Sequence, residues 1–186
     1  MALAVKRDAR MSVAEYRRWA EPRPDEERWE LLDGEPVLMA PPSARHQRIV
    51  TNLVKHLDAL AERRGCGAYP GLAILSAAMD DYAPYPDVVV HCGPMPPTGF
   101  VDDPLVIVEV LSPGTMINDR GRKLDFYATV PSLQSLLIVY QNEARIEVWR
   151  RDAGWAMRVA PAEAVVDLPE LGGTLPLAEV YARVAF

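Results

Sequence analysis

No apolar run in the sequence approaches the roughly 20 residues that a membrane-spanning helix requires. The opening residues, Met1-Ala2-Leu3-Ala4-Val5-Lys6-Arg7-Asp8, lack the apolar core of a secretory leader. A cytoplasmic chain with no membrane partner is therefore expected. Cysteine is scarce. Cys66 and Cys92 have no metal-type spacing and are expected to be reduced thiols. Positive charge is also short, with 20 Lys and Arg against 26 Asp and Glu, a net charge of −6. That balance excludes a general nucleic-acid-coating protein. It leaves room for a nuclease with a local basic cleft, because metal-binding carboxylates themselves add negative charge. Repeats and low-complexity tracts are absent. Residues 1–186 read as a single domain, with 1–10 a flexible lead-in.

What is present centres on two valine-rich runs, Asp87-Val88-Val89-Val90 and Leu105-Val106-Ile107-Val108-Glu109-Val110-Leu111. Both read as buried strands. Each carries one acid where a buried strand should carry none. An unpaired ionised carboxylate there costs on the order of several kcal/mol. A shared divalent metal with a nearby lysine is the simplest compensation. In a strand, Leu105, Ile107, Glu109 and Leu111 share one face, and Val106, Val108 and Val110 share the other. If the two strands are neighbours, Asp87 and Glu109 converge.

The remaining elements follow from local signals. Ser12 and Glu15 form a capping box for a helix to about Ala20. Asp33-Gly34 between Trp29–Leu32 and Glu35–Met39 signals a hairpin with a type I′ turn. Ser43 caps a helix to about Arg63, with His46, Val50, Leu53, Leu57 and Leu60 on its inward stripe. Leu72–Leu75 is a short strand. A helix starts near Asn118-Asp119, with Arg120, Lys123 and Tyr127 on one face. Leu136–Tyr140 and Ile146–Arg150 are strands, Trp155–Val159 one more, and Pro176–Tyr181 is helical. His56 and the His91-Cys92 pair read as structural. Taken alone, Glu30 reads as solvated, His46 as a half-buried structural histidine, and Lys123 as the i,i+4 partner of Asp119.

The ordered set Pro86-Asp87, Glu109-x-Leu111 and Asp119-Arg120-x-x-Lys123-x-x-x-Tyr127 resembles the Uma-two type restriction endonuclease family of the PD-(D/E)xK nuclease superfamily. Trp29-Glu30-Leu31-Leu32-Asp33-Gly34-Glu35, Pro41-Pro42-Ser43 with His46, and Val130-Pro131-Ser132-Leu133-Gln134 extend the likeness over roughly residues 11 to 150. The resemblance implies an α/β (α+β) restriction-endonuclease-like core, a mixed β-sheet flanked by helices. It implies Mg²⁺ or Mn²⁺ held by Asp87, Glu109 and the backbone carbonyl of Val110. The superfamily's usual lysine position is Leu111 here, and Lys123 from the following helix takes its role. Glu30, His46, Arg120 and Tyr127 become possible site neighbours, with Tyr127 orienting Lys123.

The implied activity is endonucleolytic hydrolysis of nucleic acid, with DNA as substrate. An acidic chain with one small site needs a partner to cut a duplex, so a homodimer is expected. The strand of Trp149 and the segment Val180 to Phe186 are its candidate contacts. The rivals are a non-catalytic scaffold keeping the fold and a metal hydrolase of small phosphoesters.

Overall fold

The computed structural model describes residues 10–24, 26–111 and 120–186, with Arg120 described in its backbone only. The expected lead-in, the Ser112–Ile117 loop and the Asn118-Asp119 cap fall in whole or large part outside the described residues.

Helix α1 (Val13–Ala20) starts at the Ser12/Glu15 capping box. The hairpin β1 (Trp29–Leu32) and β2 (Glu35–Leu38) follows, and Asp33 and Gly34 both take positive φ at its turn. A Cβ on Gly34 would lie 2.5 Å from the Arg10 Cβ, so that turn admits only glycine. Helix α2 (Ala44–Ala61) is capped by Ser43. Then come β3 (Cys66–Pro70), β4 (Ala73–Ile74), β5 (Val88–Cys92), β6 (Phe100–Val101) and β7 (Pro104–Leu111). Helix α3 (Arg120–Ala128) precedes β8 (Ser135–Tyr140), β9 (Ile146–Arg150) and β10 (Met157–Ala160). The hairpin β11 (Val165–Leu168) and β12 (Gly173–Pro176) leads into α4 (Leu177–Val180).

A six-stranded mixed sheet in the order β10-β9-β8-β7-β5-β3 carries the fold. Within this sheet only β7 and β8 run parallel, which requires the α3 crossover between them. Both sheet faces are covered. Ile49, Leu53 and Leu57 of α2 meet Val106, Val108 and Val110 on one side. Phe126 and Tyr127 of α3 meet Ile107 and Ile138 on the other. From Val106 onward the alternation along β7 is thus the one its sequence dictates, while Leu105 packs on the α2 side. Each fully buried aliphatic side chain contributes about 1.5–3 kcal/mol relative to exposure. Covering on both faces also explains why Leu136–Tyr140 of β8 reads as one unbroken apolar run, with all six residues of the strand buried.

The structure corrects several expectations. Cys66 and Cys92 form a disulfide. They are register partners on antiparallel β3 and β5, a relation that their sequence separation conceals. β3 was not foreseen because Gly67 and Pro70 dilute its apolar pattern. β4 pairs with β6, outside the main sheet. The β11–β12 hairpin lies in a stretch read as carrying only a helix. Of the segments expected at a dimer contact, part is packed within the chain and part is exposed. β9 is flanked by β8 and β10, and Val180 and Tyr181 are buried, while Phe186 is exposed.

Candidate active site

Antiparallel pairing of β5 and β7 aligns Val88 with Val108, which sets Asp87 and Glu109 side by side one rung further on. Asp87 directly precedes β5 and closes the end of the ladder. Its Oδ2 accepts from the backbone N–H of Val110 at 2.7 Å. Its Oδ1 stands 2.9 Å from Nε2 of His46. His46 reaches it from the first turn of α2, where the Ser43 hydroxyl accepts from the His46 backbone amide. Both Asp87 oxygens therefore have partners that fix the carboxylate.

Glu109 points toward α3. The Tyr127 hydroxyl donates to its Oε1 at 2.6 Å, and Lys123 Nζ lies 3.5 Å from the same oxygen. Tyr127, expected to orient Lys123, thus acts on Glu109. Lys123 is closer to Glu30, at 2.9 Å from Oε2. Glu30 is buried, and the amide of Tyr85 donates to it at 3.4 Å. The solvated reading of Glu30 is therefore overturned. Asp119, the other expected partner of Lys123, lies outside the described residues, as does the Arg120 side chain.

Burial is the main influence on Glu109 and pushes its carboxyl up to about 7. The Lys123 charge opposes this, the Asp87 charge adds to it, and the Tyr127 hydrogen bond opposes it again. Tyr127 is held well above its ordinary value, first by burial and then by Glu109, so its hydroxyl stays a donor.

Nothing in the sequence signals what joins the β1–β2 hairpin to α3. Arg122 donates twice to Asp33 Oδ1, at 2.9 and 2.7 Å. Consecutive residues of α3 thus grip the hairpin twice, Arg122 at its turn and Lys123 on its strand. A single sequence holds no signal for a contact spanning 89 residues.

Among the described residues, no three His, Cys, Asp or Glu side chains stand together as a metal cage. The donors that do come together are hard oxygens: two carboxylates beside the main chain of Val110. Such a set suits Mg²⁺ or Mn²⁺, which keep several waters, better than softer metals.

A six-stranded mixed sheet with helices on both faces, and acids at the ends of two adjacent strands, defines a nuclease-like α+β fold. The chain belongs to the Uma2 family, described as "Putative restriction endonuclease", whose model matches residues 13–179. Uncharacterized protein slr1290 of Synechocystis sp. is 30% identical over 187 residues, covering 95% of this chain and 94% of that protein. Uncharacterized protein sll1609 of the same organism is 30% identical over 138 residues, covering 70% and 77%. A crystal structure described as "a putative nuclease belonging to DUF820", from Anabaena variabilis, matches with TM-score 0.77 at 16% identity. That match covers 94% of this chain and 99% of the other. Among the described residues, no helix is long and apolar enough to cross a membrane.

Proposed function

We propose that this chain is a metal-dependent endonuclease that hydrolyses phosphodiester bonds of DNA and works as a homodimer. The observation that carries the reading is the meeting of Asp87, Glu109 and Lys123 at the ends of β5 and β7. Asp87, Glu109 and the Val110 carbonyl would hold Mg²⁺ or Mn²⁺. When bound, the cation supplies Lewis-acid activation of water and neutralises phosphoryl charge.

The chain's own groups supply the rest. Val110 N–H and His46 hold Asp87 in one orientation. Tyr127 holds Glu109. Lys123 places a compact positive charge beside the water to be deprotonated and the oxygens where charge develops. Glu30 fixes where that charge sits. Leu111 supplies no charge, so the strand itself has no cation to offer.

The test is cleavage of labelled single- and double-stranded DNA and RNA with Mg²⁺, with Mn²⁺ and with EDTA. Hydrolysis of DNA with either metal and none with EDTA supports the reading. No hydrolysis of any nucleic acid with either metal, or equal hydrolysis in EDTA, overturns it.

A further inference from the structure

Glu30 has a neighbour that the chemistry above does not use. On the β1–β2 ladder Glu30 is paired directly with Val37. Directly paired residues share a face, with Cβ atoms about 4.5–5.5 Å apart. Val37 therefore sits beside the Glu30–Lys123 pair, yet it is 39% exposed. Leu38, at 53%, is more exposed still, but it pairs with Trp29 on the opposite face. The hairpin turn is tied down at three points. Arg122 clamps Asp33, and the Gly34 N–H donates to Asp81 O at 2.7 Å while Met11 N–H donates to Gly34 O at 2.8 Å.

An apolar residue beside ionised groups has little to offer a phosphate. It offers a surface to the sugar ring or base of a nucleotide. The charge balance points the same way. The net charge is −6, and among the described residues Lys123 is engaged with Glu30 and Glu109, Arg122 with Asp33, and Arg45 with Asn142. Electrostatic attraction of phosphates, the usual main source of nucleic-acid affinity, is correspondingly weak here. Contact with the apolar parts of the nucleotide must then carry more of the binding.

We infer that Val37 is a substrate-contact residue that receives the sugar or base next to the scissile phosphate, making the β1–β2 hairpin one wall of the nucleic-acid cleft. This rests on the nuclease reading above.

Steady-state cleavage of fluorescein-labelled DNA in Mg²⁺ tests it, comparing wild type with Val37→Ala, Val37→Ile and Leu38→Ala. Binding of the same DNA is followed by anisotropy in Glu109→Gln and in Glu109→Gln/Val37→Ala. The expected result is a KM raised about three- to tenfold in Val37→Ala with kcat held. Val37→Ile restores KM, Leu38→Ala leaves it unchanged, and the anisotropy Kd shifts by the same factor. Unchanged KM and Kd in Val37→Ala, with wild type cleaving normally, overturns the inference and leaves the nuclease reading intact. Equal effects of Val37→Ala and Leu38→Ala, with both variants shifting the chain from dimer to monomer in light scattering, assign the hairpin to a second copy of the chain and overturn it too. A wild type that neither binds nor cleaves the DNA overturns the nuclease reading and this inference together.

Discussion

The Lys123 ammonium lies 2.9 Å from Glu30 and 3.5 Å from Glu109, so its closer carboxylate is on the separate β1–β2 hairpin and not on the strand that carries Glu109. The lysine is thus suspended between two elements, and its position depends on both.

Glu30→Gln keeps the shape of the side chain and removes its charge. Cleavage is expected to fall roughly 10- to 100-fold through misplacement of Lys123, with Mg²⁺ affinity by calorimetry little changed. Lys123→Ala should lose turnover more completely, by about 100-fold or more, and Lys123→Arg should recover little because its fork occupies the space differently. Full turnover in Lys123→Ala would reduce the residue to a structural partner of its carboxylates.

Glu109 gives a pH signature to the metal-free protein. Its carboxyl is raised from 4.5 to about 7, so between those values the folded state binds a proton that the unfolded state has released. Stability therefore falls as pH rises from about 4.5 to about 7, and levels off on either side of that window. Urea unfolding across the range should show this slope in wild type and lose its Glu109 part in Glu109→Gln. An identical pH profile in the variant would contradict the assignment.

Tyr127→Phe removes one hydroxyl from an otherwise apolar contact. Fold and unfolding midpoint should be nearly kept, while Mg²⁺ affinity drops by roughly tenfold, the usual cost of losing a group that holds a ligand in place. Calorimetry with Mg²⁺ decides it, and unchanged affinity would remove Tyr127 from the site's support.

Packing offers a separate check on the fold. Leu53 is fully buried between α2 and the sheet. Leu53→Ala should cost about 2–5 kcal/mol in chemical unfolding. A cost below about 1 kcal/mol would mean that α2 does not cover the sheet as described.

Much of this arrangement is legible in the residues because local signals dominate it. The Ser12/Glu15 box, the Asp33-Gly34 turn and the Ser43 cap are complete within a few residues each. The unbroken apolar run of β8 announces a strand covered on both faces. Acids in apolar strands mark Asp87 and Glu109 because a bare charge there is costly. What stayed hidden depends on pairing between distant segments. The Cys66–Cys92 bond, the Arg122–Asp33 clamp and the β4–β6 pair each need a three-dimensional register that periodicity does not encode. β3 and β12 are hard to read because Gly and Pro interrupt their alternation.

In the function proposed above, Glu109 acts as an anionic ligand at a site that cuts nucleic acid. Glu109→Gln is nearly isosteric and retains an oxygen to accept from Tyr127, but it has no charge to hold Mg²⁺. The most direct measurement is its single-turnover rate of DNA cleavage at saturating Mg²⁺, beside wild type. A loss of about 100-fold or more is expected, in a variant that still unfolds cooperatively. A folded Glu109→Gln that cleaves at the wild-type rate would contradict the account.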